Sequence, residues 1–184
     1  MICVRKVFKE LVSFLKILTL SYITIFLLTT FIIKPVVVSG TSMEPTLKDK
    51  DIGFSYVITK KLFGIDRGAV VTVYVEDDDQ YIVKRVIGLP EETIYAKGGV
   101  IFINDEPVVE NYLDQDYIKT IIGSSQRSFT SDFDKLKIPK DHYFLMGDNR
   151  PRSKDSREYG PFHYDSILSN SLLVIYPFEH FGSK

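Results

Sequence analysis

Ser42 stands in the stretch Ser39-Gly-Thr-Ser-Met-Glu-Pro-Thr-Leu47, between a threonine and a methionine. A serine hydroxyl attacks a carbonyl only when a neighbouring base removes its proton. Histidine is the usual base, but His142, His163 and His180 all lie in the C-terminal quarter, in no recognisable triad order, and read as surface or turn residues. Lys84 is the other candidate. In Tyr81-Ile-Val-Lys-Arg-Val-Ile87 the two-residue period of a strand sets Val83, Arg85 and Ile87 on one face and Ile82, Lys84 and Val86 on the other. The strand is therefore expected to turn either Lys84 or Arg85 inward. Burial among apolar neighbours lowers a lysine pKa from about 10.4, and a neutral lysine is a competent general base. From the pattern alone, a solvated Lys84 with Arg85 packed or paired on the other face is the commoner case.

A third polar segment, Gly147-Asp-Asn-Arg-Pro-Arg-Ser-Lys-Asp-Ser-Arg-Glu-Tyr-Gly160, follows the mostly apolar His142-Tyr-Phe-Leu-Met146. Its composition fits a solvated turn, yet the preceding run reads as a buried strand. Within the segment, Ser153 offers a hydroxyl that can orient an amine, and Asp155 with Arg157 can form a bidentate pair that fixes the loop. Other constellations fail. The Gly-x-Ser-x-Gly elbow lacks its second glycine, because Glu44 stands there, and a Ser-x-x-Lys motif from Ser42 would need lysine where Pro45 stands. The spacing Ser13 to Lys16 falls inside an apolar run and is taken as accidental. Glu76-Asp-Asp-Asp79 reads as a solvated turn, no zinc or EF-hand spacing occurs, and no metal is expected.

These residues need a scaffold. The 184 residues suit one modest globular domain, and a net charge of -1 disfavours nucleic acid as a partner. The only cysteine, Cys3, excludes a disulfide framework and a thiolate metal site. Leu11–Ile33 is apolar apart from Lys16, which can snorkel, and is long enough to cross a bilayer, which takes about 20 residues. Arg5, Lys6 and Lys9 precede it, so residues 1–10 are expected in the cytoplasm and residues 35–184 outside, as an extracytoplasmic domain. The Lys-Pro-Val-Val-Val that follows Ile33 offers no small-residue cleavage site, which favours an anchor over a cleaved leader. Beyond Pro35, short β-branched runs at Ala69–Val75, Gln80–Ile87, Val100–Asn104 and Ser171–Tyr176 predict a mainly antiparallel β domain. Gly98-Gly99 predicts a hairpin turn, and Glu110–Asp134, without a clean period, is expected to be a loop-rich insertion.

Together the three segments resemble type I signal peptidases, membrane-bound serine proteases that remove signal peptides. Ser39–Leu47 is similar to the family's nucleophile box, Tyr81–Pro90 to its general-base box and Gly147–Arg157 to its GDNxxxSxDSR box. Asp66–Val71 resembles a further strand segment, and the likeness covers Leu11–Pro177. The resemblance implies Ser42 as nucleophile, Lys84 as base, Ser153 orienting Lys84, and Asp155 with Arg157 as a structural pair. It also implies a β-rich core shared with LexA-like Ser/Lys proteases, an insertion at about 94–138, no cofactor, and secretory preproteins as substrates. Cleavage after Ala-x-Ala would use shallow pockets for which Val38, Met43, Ile82 and Val83 are candidates. The lysine looks bacterial, and the short insertion and Gly40 look Gram-positive. Phe178 and Phe181 are read from sequence as candidates either for lipid contact or for core packing. The sequence departs from common family forms at Gly40, where Gram-negative relatives often carry an oxyanion-stabilising hydroxyl residue. It departs also at Ala69, where an acid is frequent, and at Glu91-Glu92, where Gly-Asp is usual. An idle membrane-anchored assembly factor on the same scaffold is the alternative, disfavoured because Ser42 and Lys84 are both present. The oligomeric state is not legible.

Overall fold

The computed structural model describes residues 2–123 and 128–184. Met1 and residues 124–127, within the expected insertion, lie outside the described residues, as do the side chains of residues 2–5, 30 and 31, among them Cys3 and Arg5. The first element, α1 (Ile2–Phe31), is mostly apolar from Leu11 onward, with Lys16 the one charge there, and none of its span Lys6–Thr29 is buried against the rest of the chain. Three of its hydroxyls are satisfied locally: Thr19, Thr24 and Thr29 each donate to the carbonyl four residues earlier at 2.9 Å. That pairing lets a polar side chain sit in an apolar helix without another partner. Ile33, read with the apolar span from sequence, is instead the first residue of a strand and pairs with Tyr56.

Three antiparallel sheets follow. β1 (Ile33–Val37), β2 (Ile52–Tyr56), β12 (Leu172–Tyr176) and β13 (Gly182–Ser183) form one, in that spatial order. The central sheet has the order β10 (Phe162–His163), β9 (His142–Met146), β4 (Gln80–Gly88), β3 (Val70–Val75), β11 (Ile167–Ser169). The third is β7 (Glu106–Pro107), β6 (Val100–Ile103), β5 (Thr93–Lys97), β8 (Phe133–Lys137). Short helices α2 (Val57–Phe63), α3 (Gln115–Ile122) and α4 (Ser156–Tyr159) join the strands. The mainly antiparallel β architecture with one long N-terminal helix agrees with the sequence expectation. The β5–β6 hairpin turns at Gly98 and Gly99, with φ of +60° and +81°, the doubly left-handed backbone that glycine adopts at least cost.

The stretch Glu110–Asp134, expected to be loop-rich, also contains a helix, α3. Asp114 caps that helix, its carboxylate accepting from the N–H groups of Asp116 and Tyr117 at 2.9 Å each. Tyr117, Ile118, Ile121 and Ile122 then fall on one side of a helix too short to show a repeating period in sequence.

The core lies between the sheets. Val38, Met43 and Leu47 pack with Val70, Val83, Leu172 and Val174, so the loop carrying Ser42 is pinned by its own apolar residues between the first and central sheets. Met43 and Leu47 are 1% and 0% exposed. A separate cluster, including Ile87, Ile94, Ile101, Ile138 and Phe144, joins the central and third sheets.

The turn after β4 shows what replaces the usual Gly-Asp. Glu92 accepts from the Leu89 N–H at 2.7 Å and pairs with Arg67 at 2.5 Å, so it stitches the turn to the chain before β3. Glu91 has φ +67°, a left-handed conformation that costs a residue with a Cβ about 1–2 kcal/mol. Glu91→Gly is expected to stabilise the fold by about 0.5–1 kcal/mol, after allowing for the freer unfolded chain, and to raise Tm by about 2 °C. A thermal melt of the detergent-purified chain measures it; an unchanged or lower Tm contradicts the expectation.

Candidate active site

Two loops and one strand converge. The strand β4 brings Lys84, the loop after β1 brings Ser42, and the loop after β9 packs against both. Lys84 Nζ donates to Ser42 Oγ at 2.6 Å, although the two lie 42 positions apart in sequence. Lys84 is 3% exposed, and burial pushes its pKa down to about 8, partly opposed by the negative charge of Asp155. An amine that sheds its proton near neutral pH, in contact with a hydroxyl, can act as a base toward it.

Sequence alternation offered a choice between Lys84 and Arg85 as the buried cation. The structure buries both, since Arg85 is only 8% exposed. The reason is Asp148: Arg85 Nε and Nη2 donate to its two carboxylate oxygens at 2.8 and 2.6 Å, and Thr46 Oγ1 adds a bond at 2.5 Å. A bidentate pair offsets much of the cost of burying the guanidinium, so β4 can be covered on both faces. Asp148 is itself 1% exposed. This pair ties β4 to the loop after β9 and to the loop carrying Ser42, and the sequence carried only a faint signal of it in the acid two residues after the apolar run of β9.

In the loop after β9, Arg157 Nε and Nη2 donate to Asp155 Oδ1 and Oδ2 at 2.9 Å each, the bidentate geometry expected. Asp155 also accepts from the Gly147 N–H at 3.0 Å and from Ser153 Oγ at 2.7 Å. Burial alone would raise its pKa, but these bonds, led by Arg157, hold the carboxyl below its ordinary value. The Ser153 hydroxyl therefore donates to Asp155, and among the described residues no hydrogen bond joins it to Lys84. A carboxylate is the stronger acceptor, which decides the direction of that hydroxyl. Gly147 allows the close approach: a Cβ there would lie 2.4 Å from the Ser42 carbonyl oxygen and 2.2 Å from Ser153 Oγ.

Gly40 has φ +86°, and its N–H donates to Asp49 at 2.8 Å. That left-handed backbone is one a glycine adopts without strain. The Ser42 N–H makes no hydrogen bond among the described residues. His180 is half-buried rather than a free surface residue, with Nδ1 2.6 Å from Asp51 Oδ1, while His142 and His163 stack edge-on at 5.0 Å. None of the three is bonded to Ser42 or Lys84 among the described residues.

Beside Ser42 and Lys84 runs a cleft of about 350 Å³. Val38, Met43, Ile82 and Val83 all line it. Its two long sides are open strand edges. β1 pairs only with β2, and β4 pairs with β9 only from Arg85 onward, so the backbone of Gln80–Lys84 is unpaired on the side away from β3.

The signal peptidase, peptidase S26, sequence family matches residues 11–176. Signal peptidase I P of Bacillus subtilis subsp. natto is 36% identical over 171 residues, spanning 92% of this chain and 91% of that protein. Signal peptidase I S of Bacillus subtilis (strain 168) is 36% identical, over 93% of this chain and 92% of its own length. Signal peptidase IB of Staphylococcus aureus (strain N315) is 32% identical, over 94% and 93%. The crystal structure of a signal peptidase I from Enterococcus faecalis V583 aligns with a TM-score of 0.51 at 31% identity, covering 57% of this chain and 94% of that one. With a family match across most of its length and relatives this similar, the chain belongs to the signal peptidase, peptidase S26, family and is a serine endopeptidase of the signal peptidase I class.

Proposed function

We propose that this chain removes signal peptides through a Ser42/Lys84 dyad, from the outer surface of a membrane in which α1 is the anchor. The observation that carries the reading is the 2.6 Å contact between a hydroxyl and a buried lysine on the wall of an open-edged cleft. Neutral Lys84 takes the Ser42 Oγ proton as Oγ bonds to the scissile carbonyl carbon, giving a tetrahedral oxyanion. The Lys84 ammonium passes that proton to the departing amide nitrogen as the C–N bond breaks, leaving an ester on Ser42. Water, deprotonated by the again neutral Lys84, attacks the ester, and the proton returns to Ser42 Oγ as the ester bond breaks. The Ser42 N–H supplies an oxyanion donor.

The substrate enters as an extra strand between β1 and the unpaired part of β4, where main-chain bonds fix it in extended form. Alternate side chains then meet Val38, Met43, Ile82 and Val83, and the shallow space between them favours small residues in the Ala-x-Ala pattern. Asp155 and Arg157 hold the loop that backs Ser42, while Ser153 and Gly40 shape its two sides. An apolar helix with nothing packed on it finds its lowest free energy in lipid, and Lys6 and Lys9 at its start favour the cytoplasmic side. Phe178 and Phe181, 81% and 63% exposed, add apolar surface suited to the interface.

The test is cleavage of a signal-peptide substrate bearing Ala-x-Ala, by the detergent-purified chain, at pH values of about 6–10 that bracket the lysine. Because the base must be neutral, kcat/KM is expected to rise with pH through an apparent pKa of about 8 and then level. A rate that is flat across this range, or that falls as pH rises through 8, contradicts Lys84 as the base.

A further inference from the structure

The inserted region reaches the nucleophile loop through Tyr117 of α3. Its phenol donates to Glu44 Oε2 at 2.9 Å and accepts from Asn149 Nδ2 at 3.0 Å. The same amide nitrogen donates to the Thr41 carbonyl at 3.0 Å, and the Asn149 backbone N–H donates to the Ser42 carbonyl at 3.0 Å. Asn149 is fully buried, and its Oδ1 has no hydrogen-bond partner. A buried, unpaired amide oxygen is unfavourable. It persists because the reversed amide would set Oδ1 against the Thr41 carbonyl oxygen and leave it no proton to donate there.

The Thr41 carbonyl and the Ser42 N–H belong to one planar trans peptide and point in opposite directions. Fixing the carbonyl therefore fixes the aim of the N–H. We propose that Tyr117 and Asn149 are positioning residues that aim the Ser42 N–H at the oxyanion, with α3 of the insertion acting as a strut on the nucleophile loop. This rests on the dyad reading above. Neither residue touches Lys84 or lines the cleft, so the strut acts on the transition state and not on substrate binding. The Tyr117 phenol, pushed up to about 12 by burial and by its bond to Glu44, stays protonated throughout the assay range and keeps both bonds.

The test uses the full chain in detergent with an Ala-x-Ala signal-peptide substrate. Tyr117→Phe retains the ring and removes the oxygen. It is expected to lower kcat about 10-fold, less than the loss of a whole oxyanion donor, with KM within about twofold and the pH midpoint unmoved. Glu44→Ala is expected to fall similarly, and Glu44→Gln, which keeps an acceptor oxygen, to recover most of that loss. The Tyr117→Phe/Glu44→Ala pair should be no worse than the poorer single variant, the non-additivity of residues acting as one unit. Wild-type kcat in Tyr117→Phe, a loss confined to KM, or a loss that only tracks unfolding in a parallel thermal melt would each overturn the strut. Ser42→Ala is assayed alongside. If it still cuts, the dyad and the strut fall together; if it is inert while Tyr117→Phe runs at the wild-type rate, the strut falls alone.

Discussion

Lys84→Met is expected to cut kcat/KM by about 10²–10⁴-fold while making the protein more stable at pH 7. The catalytic loss follows from removing the proposed base, whose amine is bonded to Ser42; a general base contributes about 10²–10⁴-fold. Ser42→Ala removes the proposed nucleophile and should be at least as severe. The stability gain has the opposite origin. The folded-state pKa of Lys84 is lowered from 10.5 to about 8, so below about pH 8 the fold carries a buried ammonium it would rather lose. A shift of that size corresponds to about 3 kcal/mol, an upper bound because methionine gives up the bond to Ser42. Between about pH 8 and 10.5 the unfolded chain still binds the proton while the folded one has released it, so wild-type stability rises with pH across that window. The advantage of Lys84→Met should therefore be full below about 8 and gone by about 10.5. Denaturant titrations at several pH values, beside cleavage assays, read both effects. A Lys84→Met protein that still cuts well refutes the dyad, and one that is less stable than wild type at pH 7 refutes the buried-charge account.

Asp148→Ala is expected to destabilise the protein by about 3–5 kcal/mol, the usual consequence of leaving one member of a buried ion pair alone. Arg85 would lose both of its bonds to carboxylate oxygens while remaining buried, keeping its bond to the Gly68 carbonyl at 2.7 Å and its contact with the Tyr112 ring at 4.3 Å. Thr46 would lose its acceptor as well, loosening the end of the loop that carries Ser42. Asp148→Asn keeps the shape and one acceptor oxygen and should cost less. Unfolding in denaturant gives the numbers, and a loss below about 1 kcal/mol for Asp148→Ala would mean that Arg85 finds water or another partner when the carboxylate is gone.

Much of this protein is written locally in its chain. The apolar run of α1, the alternation in β3 and β4, and the Gly98-Gly99 turn each reflect a backbone preference or a periodicity that a short window contains. Ser42, Lys84, Ser153, Asp155 and Arg157 were picked out by residue type within such windows, and the family by the order of three boxes. α3 escaped notice because eight residues hold barely two turns, too few for a period to stand out.

What the windows lacked was partnership. Alternation alone left Lys84 and Arg85 as rivals for the interior. Only the fold, by bringing Asp148 across from the loop after β9, allowed both to be buried. The same holds for the Lys84 amine: an isolated lysine keeps a pKa near 10.5, and the value of about 8 arises from burial among the sheets packed around it. Asn149 and Tyr117 are ordinary residues in sequence, one in a turn and one in an insertion. They meet the loop that carries Ser42, Asn149 at Thr41 and Tyr117 at Glu44, because chain segments far apart in sequence close on one loop. Sequence thus determined which groups were present and in what order, because those are properties of type and period. Tertiary structure decided which were charged, which were paired and where the Ser42 N–H points, because desolvation and hydrogen bonding depend on distances that no local pattern contains.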